Sequence, residues 1–258
     1  MATQTLLIIL LSLTLLFGLA TLAYLFFRKG KPTLLILVVE KIGTPAENSR
    51  LKEEWVSVKS LEKTLNTLCK KGFSFVSLAD LKEGHKLPPK PVLLAFIGGY
   101  QTVFTDIFPL LKTCRIKASV FLSPSFVDTY NAWQSPEDEP WQKMLTAKQL
   151  KTLQTSRLIS FGTLPLNGKP SADQTAEEAC FELTESAFRL KNLLGLKAEA
   201  YAWNDTEKEN LSAIQNRSEM PILSFQKGIN PLPEKKVFKT LRLGKNPLFT
   251  RFQIFKQR

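Results

Sequence analysis

Histidine is almost absent from this chain: His85 is the single one among 258 residues. A catalytic zinc centre of the common kind takes two or three imidazoles, so a multi-histidine metal site is excluded. Cysteine is scarce too. Cys69, Cys114 and Cys180 are odd in number and far apart, leaving neither a Cys-x-x-Cys site nor a paired disulfide framework; buried free thiols are expected. No internal repeat and no long polar tract is present, and with 44% hydrophobic and 22% charged residues the composition is that of a folding chain. No charged side chain precedes Arg28.

That last absence defines the first segment. Leu6 to Phe27 (LLIILLSLTLLFGLATLAYLFF) is uncharged over about 22 residues, enough at 1.5 Å rise per residue to cross a hydrocarbon core of roughly 30 Å. A transmembrane helix is expected. A cleaved signal peptide is the competing reading, but it wants a shorter apolar region, a basic start and a small-residue cleavage site. The chain therefore divides into 1–31, an anchor with a basic flank, and 32–258, one globular domain in a single-pass protein of the cell membrane. Arg28, Lys29 and Lys31 favour a cytoplasmic domain by the positive-inside rule, which weakens for long translocated domains, so the side stays open.

All charge follows the anchor, so the domain carries the whole formal +12. Such a field favours anionic partners: a lipid surface, an anionic envelope polymer or nucleic acid. No nucleic-acid recognition motif accompanies the charge, and no nucleic-acid partner is expected.

Short apolar runs then alternate with amphipathic ones. Strands are predicted at Thr33–Val39, Phe73–Ser77, Val92–Phe96, Ala118–Leu122, Leu158–Phe161 and Ala198–Trp203. Helices are predicted at Ser57–Lys71, Thr102–Thr113, Thr146–Ser156 and Ala172–Leu194, with a helical turn at Ala79–Lys82 and Gly72 and Gly195 as stops. This order argues for an α/β fold, a parallel sheet or barrel under helices, with its site at the C-terminal ends of the strands.

Leu87 to Leu122 (LPPKPVLLAFIGGYQTVFTDIFPLLKTCRIKASVFL) resembles the polysaccharide deacetylase, or NodB-homology, family. That family runs from a strand into a Phe-Asp-Asp-Gly-Tyr motif, a helix ending Pro-Leu-Leu and an Ala-Thr-Phe-Phe-like strand. Phe96, Gly99, Tyr100, Pro109, Leu110, Leu111, Ala118 and Phe121 match it. The upstream segment WVSVKSLEKTLNTLCKKGFSFVSLADL is similar to the lead-in of poly-N-acetylglucosamine-type members, and MLTAKQLKTL with LISFGT to the elements before the second motif. The similarity extends from about Leu34 to Leu243 and implies a distorted (β/α) barrel of the polysaccharide deacetylase type after the membrane helix.

The resemblance also implies a metal held by one motif aspartate and two histidines, with the second aspartate as base. Here the aspartate positions hold Ile97 and Gly98, and the histidine positions fall at Leu164 and Gly168 in GTLPLNG. None of the four offers a lone pair, so no metal, no cofactor and no catalytic residue of the family kind is expected. His85, in a connector, reads as a solvated loop residue. Arg242 stands where family members often carry an arginine, and no late histidine acid is present.

The residues left at the strand ends are Glu40, Tyr100, Ser123, Thr163, Trp203, Asn204 and Asp205, the candidate binding set. Trp203 and Tyr201 are candidate sugar-stacking platforms, one of which is expected to face the cleft. Trp133, Trp141 and SPEDEP read as a surface loop, with a lid as the alternative. The expected function is a membrane-anchored, catalytically silent deacetylase-like module that binds an anionic or N-acetylated envelope polysaccharide or a protein. The alternative is a carbohydrate hydrolase, through residual deacetylation or through metal-free cleavage using Glu40 and Asp205 as a carboxylate pair.

Overall fold

The computed structural model describes residues 33–81, 86–168, 174–203, 208–228, 230–231 and 237–244. The chain forms two compact units, Met1–Pro32 and Thr33–Arg258. The predicted membrane helix belongs to the first and lies outside the described residues, as do His85, Asn204 and Asp205. Among the described residues no helix is long and apolar enough to cross a membrane.

Among the described residues eleven strands follow in order: β1 (Thr33–Val39), β2 (Lys41–Ile42), β3 (Trp55–Val56), β4 (Ser74–Val76), β5 (Pro91–Gly98), β6 (Ala118–Leu122), β7 (Ile159–Thr163), β8 (Ala198–Trp203), β9 (Ile222–Lys227), β10 (Asn230–Pro231) and β11 (Val237–Leu243). Five α-helices lie between them: α1 (Val58–Lys70), α2 (Phe108–Cys114), α3 (Ala147–Thr155), α4 (Ala176–Leu194) and α5 (Lys208–Arg217). Seven strands close a parallel barrel in the order β1-β5-β6-β7-β8-β9-β11 and back to β1. The distorted barrel expected from the sequence is present. Its distortion sits at β5, whose single edge pairs with β4 over Pro91–Leu93 and with β6 over Ala95–Gly98.

The uninterrupted apolar strands follow from burial on both faces. Leu34, Ile36 and Val38 pack with Leu93, Ala95, Ile97, Phe121, Ala200 and Leu223, while the alternate residues Leu35, Leu37 and Val39 join the helices. In α1, Leu61, Leu65 and Leu68 line one face at helical spacing and are buried, each contributing about 2 kcal/mol. Ser57 caps α1 by accepting from the Ser60 N–H at 3.2 Å. Thr146 and Thr175 open α3 and α4 with reciprocal capping boxes to Gln149 and Glu178.

The structure departs from the sequence reading in three places. The predicted helix at Thr102–Thr113 begins as a π turn over Val103–Ile107, because Pro109 has no N–H to donate one turn back and fits only the first turn of α2. The thiols expected to be buried are not: Cys69 and Cys114 are exposed and Cys180 is half-buried, since their positions fall off the apolar stripes of α1, α2 and α4. The pattern after Trp203 had no assigned elements, yet α5, β9 and β11 complete the barrel there.

Candidate functional site

A cleft of about 250 Å³ opens at the C-terminal ends of the barrel strands. Its lining includes all four positions singled out above, Ile97, Gly98, Leu164 and Gly168, together with Glu40 and Tyr100. β1 and β5 deliver Glu40, Ile97, Gly98 and Tyr100 because both end at the mouth in register, with Val39 opposite Phe96, and the turn after β7 delivers Leu164 and Gly168.

The remaining candidates go elsewhere. Trp203 is 1% exposed and packs with Tyr201 against α4 and α5, in a cluster containing Leu183, Leu211 and Ile214. Two residues apart on a strand, Tyr201 and Trp203 share a face, and it is the outward one; Ala200 and Ala202 face the interior. Thr163 is fully buried and its hydroxyl pairs with that of Ser186 on α4 at 2.5 Å. Ser123 is buried below the mouth, donating to the Leu166 carbonyl at 2.8 Å and so holding the Leu164–Gly168 turn. It positions the cleft wall without lining it.

Lys41, Leu51, Glu54, Gln134, Ala202 and Phe225 also line the cleft without having been singled out in the sequence, and Trp133, read there as part of a surface loop or lid, lines it too. β2 and β3 pair in parallel, with Lys41 opposite Trp55, which brings Glu54 to the Lys41 side chain. Lys41 Nζ donates to Glu54 Oε2 at 3.0 Å and to Gln134 Oε1 at 3.1 Å. Arg242 completes the group, with Nη2 2.6 Å from Glu40 Oε1 and Nη1 3.9 Å from Glu54 Oε1. Two carboxylates thus face two cations.

Burial pushes the Glu40 carboxyl up to about 6; Arg242 opposes this, and the Glu54 carboxylate beside it adds to it. Burial and the carboxylates of Glu40 and Glu54 also push the Tyr100 phenol above its ordinary value, while the Asn131 side chain beside it pulls the other way. Tyr100 therefore stays protonated. Its ring lies 5.6 Å below Lys41 Nζ and 6.1 Å from the Trp133 ring.

The segment carrying Trp133 reads as a surface loop in the sequence, but the structure draws it into the mouth. Phe126 meets Trp133 edge-on at 4.7 Å. Trp141 Nε1 donates to the Gln134 carbonyl at 2.7 Å, Arg50 pairs with Asp138 at 3.0 Å, and the Ser49 hydroxyl donates to Glu139. An aromatic residue between two elements that both end at the mouth was the available signal.

The residues present do not fit the metal that the resemblance implies. Alkyl groups and hydrogens stand at the donor positions, and among the described residues no group of three or more His, Cys, Asp or Glu is placed to hold an ion. The space is also taken. Gly98 and Gly168 have φ of +106° and +87°, and a Cβ on them would come within 2.5 Å of the Tyr100 ring and 2.6 Å of the Trp133 ring.

No family-level sequence profile matches the chain. Over 89 residues it is 33% identical to the poly-beta-1,6-N-acetyl-D-glucosamine N-deacetylase of Escherichia coli K12, covering 32% of this chain and 13% of that protein. The chain thus matches about an eighth of the curated relative's length. Among solved structures, IcaB from Ammonifex degensii superposes with a TM-score of 0.68 at 17% identity, covering 86% of this chain and 97% of that one. A polysaccharide deacetylase from Bacillus cereus gives 0.70 at 16% identity, covering 87% and 69%. The Bordetella bronchiseptica BpsB deacetylase domain gives 0.62 at 18%, covering 82% and 96%. Barrel closure and strand-end cleft together show that this chain has the NodB-like fold of these deacetylase structures.

Proposed function

We propose that this protein is a deacetylase-like binding module that holds an N-acetylated envelope polysaccharide without hydrolysing it, tethered to the membrane by Leu6–Phe27. The observation that carries this reading is the loss of donors from an open cleft: Ile97, Gly98, Leu164 and Gly168 line it, with the Tyr100 and Trp133 rings packed against the two glycines. Metal-assisted deacetylation needs a Lewis acid to polarise the amide and generate the attacking hydroxide. These positions supply neither its ligands nor a base.

What remains suits a sugar. Ile97, Leu164, Ala202 and Phe225 give an apolar wall, Tyr100 and Trp133 give aromatic edges, and Glu40, Lys41, Glu54 and Gln134 give hydrogen-bonding groups on the same cleft. The E. coli relative acts, by its name, on poly-beta-1,6-N-acetyl-D-glucosamine, which sets the ligand class to try first.

The test uses the full chain in detergent. Elemental analysis should find no stoichiometric zinc, and acetate release from β-1,6-linked N-acetylglucosamine oligomers should stay at the buffer rate. The same oligomers should change the tryptophan emission saturably, and Trp133→Ala should weaken that response about tenfold, roughly the loss of one stacking aromatic. Turnover with bound zinc, or no saturable response, overturns the reading.

A further inference from the structure

The two ends of the described barrel differ in charge. The loops around the cleft carry both signs, exposing Glu47, Glu53, Asp128 and Glu137 beside Arg50, Lys143 and Lys148. At the opposite end, where each helix stops and the next strand begins, Lys70, Lys71, Lys90, Arg115, Arg157 and Lys197 are exposed. The carboxylates near that rim are Asp80, which is paired with Lys117 at 2.9 Å, and the exposed Glu219.

Helix dipoles explain only part of this basic rim. Cations in a last helical turn complement the carbonyl end, which covers Lys70. Lys90, Arg115 and Arg157 are different: each sits in the left-handed region, with φ of 52°, 50° and 59°. They are three of the four described non-glycine residues with positive φ. Glycine or asparagine makes such turns with less strain. Lys90 serves the fold itself, donating to the Lys71 carbonyl at 3.1 Å and lying over the Phe73 ring; the exposed Arg115 and Arg157 point to a task outside the fold.

An apolar side chain accompanies the rim. Leu193, in the last turn of α4, is 74% exposed, and Phe188 on the same helix is 59% exposed. Thr33, where the chain enters β1, lies at this same end of the barrel. In the sequence the uncharged run ends at Phe27, about five residues earlier, and a fully extended residue reaches at most ~3.6 Å.

We propose that the basic rim at the N-terminal ends of the strands rests on an anionic phospholipid surface, with Leu193 entering the headgroup layer. Phosphate and carboxylate headgroups match the clustered cations, and an exposed leucine beside them is the combination that interfacial segments use. The cleft, at the other end of the barrel, then faces away from the bilayer. This rests on the membrane tether of the proposed function, and the experiment separates the two.

The full chain is reconstituted into nanodiscs of phosphatidylcholine alone or with a third of phosphatidylglycerol, and hydrogen exchange is followed by mass spectrometry. With anionic lipid, the turns at 70–73, 113–117, 155–158 and 193–197 should exchange about fivefold more slowly, an effect lifted by 0.5 M salt, while peptides of the cleft loops stay unchanged. The variant R115N/R157N, which keeps a residue tolerant of the left-handed turn, and Leu193→Ser should each reduce that protection. Incorporation without rim protection sinks the docking and spares the tether. A chain that fails to incorporate yet sediments with anionic vesicles sinks the tether and keeps the docking. Protection in neutral discs on adding a soluble anionic polysaccharide or an oligonucleotide, with none from anionic lipid, assigns the rim to a different partner and overturns the proposal.

Discussion

A Cβ atom on Gly168 would come within 2.6 Å of the Trp133 indole, and Gly168 already has a φ of +87°. The turn after β7 and the segment before α3 have therefore become mutually dependent, and a side chain at 168 has to displace a ring before it can ligate anything.

Restoring the donors alone should fail for that reason. The variant I97D/G98D/L164H/G168H places two aspartates and two histidines at the family positions, yet two of the four carry positive φ. Each such substitution costs about 1 to 2 kcal/mol in backbone strain before any steric conflict. The expected outcome is a chain several degrees less stable in thermal melts, with no stoichiometric zinc by elemental analysis. Tight zinc in this variant would show that the rings yield easily.

Lys41 should matter more to stability than its position in a two-residue strand suggests. Its side chain is 3% exposed and bonded to both Glu54 and Gln134. Lys41→Met leaves Glu54 in a half-buried site with Arg242 only at 3.9 Å, and a loss of about 2 to 3 kcal/mol in urea unfolding is expected. Changing Lys41 and Glu54 together, to Met and Gln, should cost less than the two single changes added.

Glu40 should make stability depend on pH in a definite direction. Its carboxyl is raised from 4.5 to about 6, so between those values the folded chain holds a proton that the unfolded chain releases. The contribution is fully present below about pH 4.5 and is lost as pH rises through 6, by about 2 kcal/mol. Glu40→Gln cannot titrate. The stability difference between it and the parent should therefore change across this window, and a constant difference from pH 4.5 to 7 would sink the assignment.

Arg157 carries the opposite expectation. Relaxing its left-handed turn with Arg157→Gly should raise stability by up to about 1 kcal/mol, because glycine adopts φ near 59° without the Cβ conflict. A higher melting temperature together with weaker binding to anionic vesicles would separate what the arginine does for the fold from what it does at the surface.

The sequence made the barrel legible where burial on both faces writes a solid apolar run. Thr33–Val39, Ala118–Leu122 and Ala198–Trp203 end where the runs end. β11 is fainter: Lys239 and Arg242 break its run into an alternating one, and recognising it requires knowing that β9 and β1 flank it. The cleft was half legible. Glu40 and Tyr100 follow from strand ends, and the four motif positions from the family resemblance. Lys41 meeting Glu54 depends on β2 pairing with β3, and Trp133 reaching Gly168 joins residues 35 apart across the mouth, neither of which leaves a local pattern. Trp203 went astray because a strand's alternation shows which residues share a face but not which face looks inward.

β1 lies between β5 and β11, so the first barrel strand to leave the ribosome has one neighbour within about sixty residues and the other about two hundred residues away. During synthesis its β11 edge stays open, with Leu37, Val38 and Val39 waiting for Leu241, Arg242 and Leu243. A nascent chain in that state offers an apolar strand to any passing edge. Premature termination anywhere before Val237 should therefore yield an aggregating product rather than a smaller soluble domain.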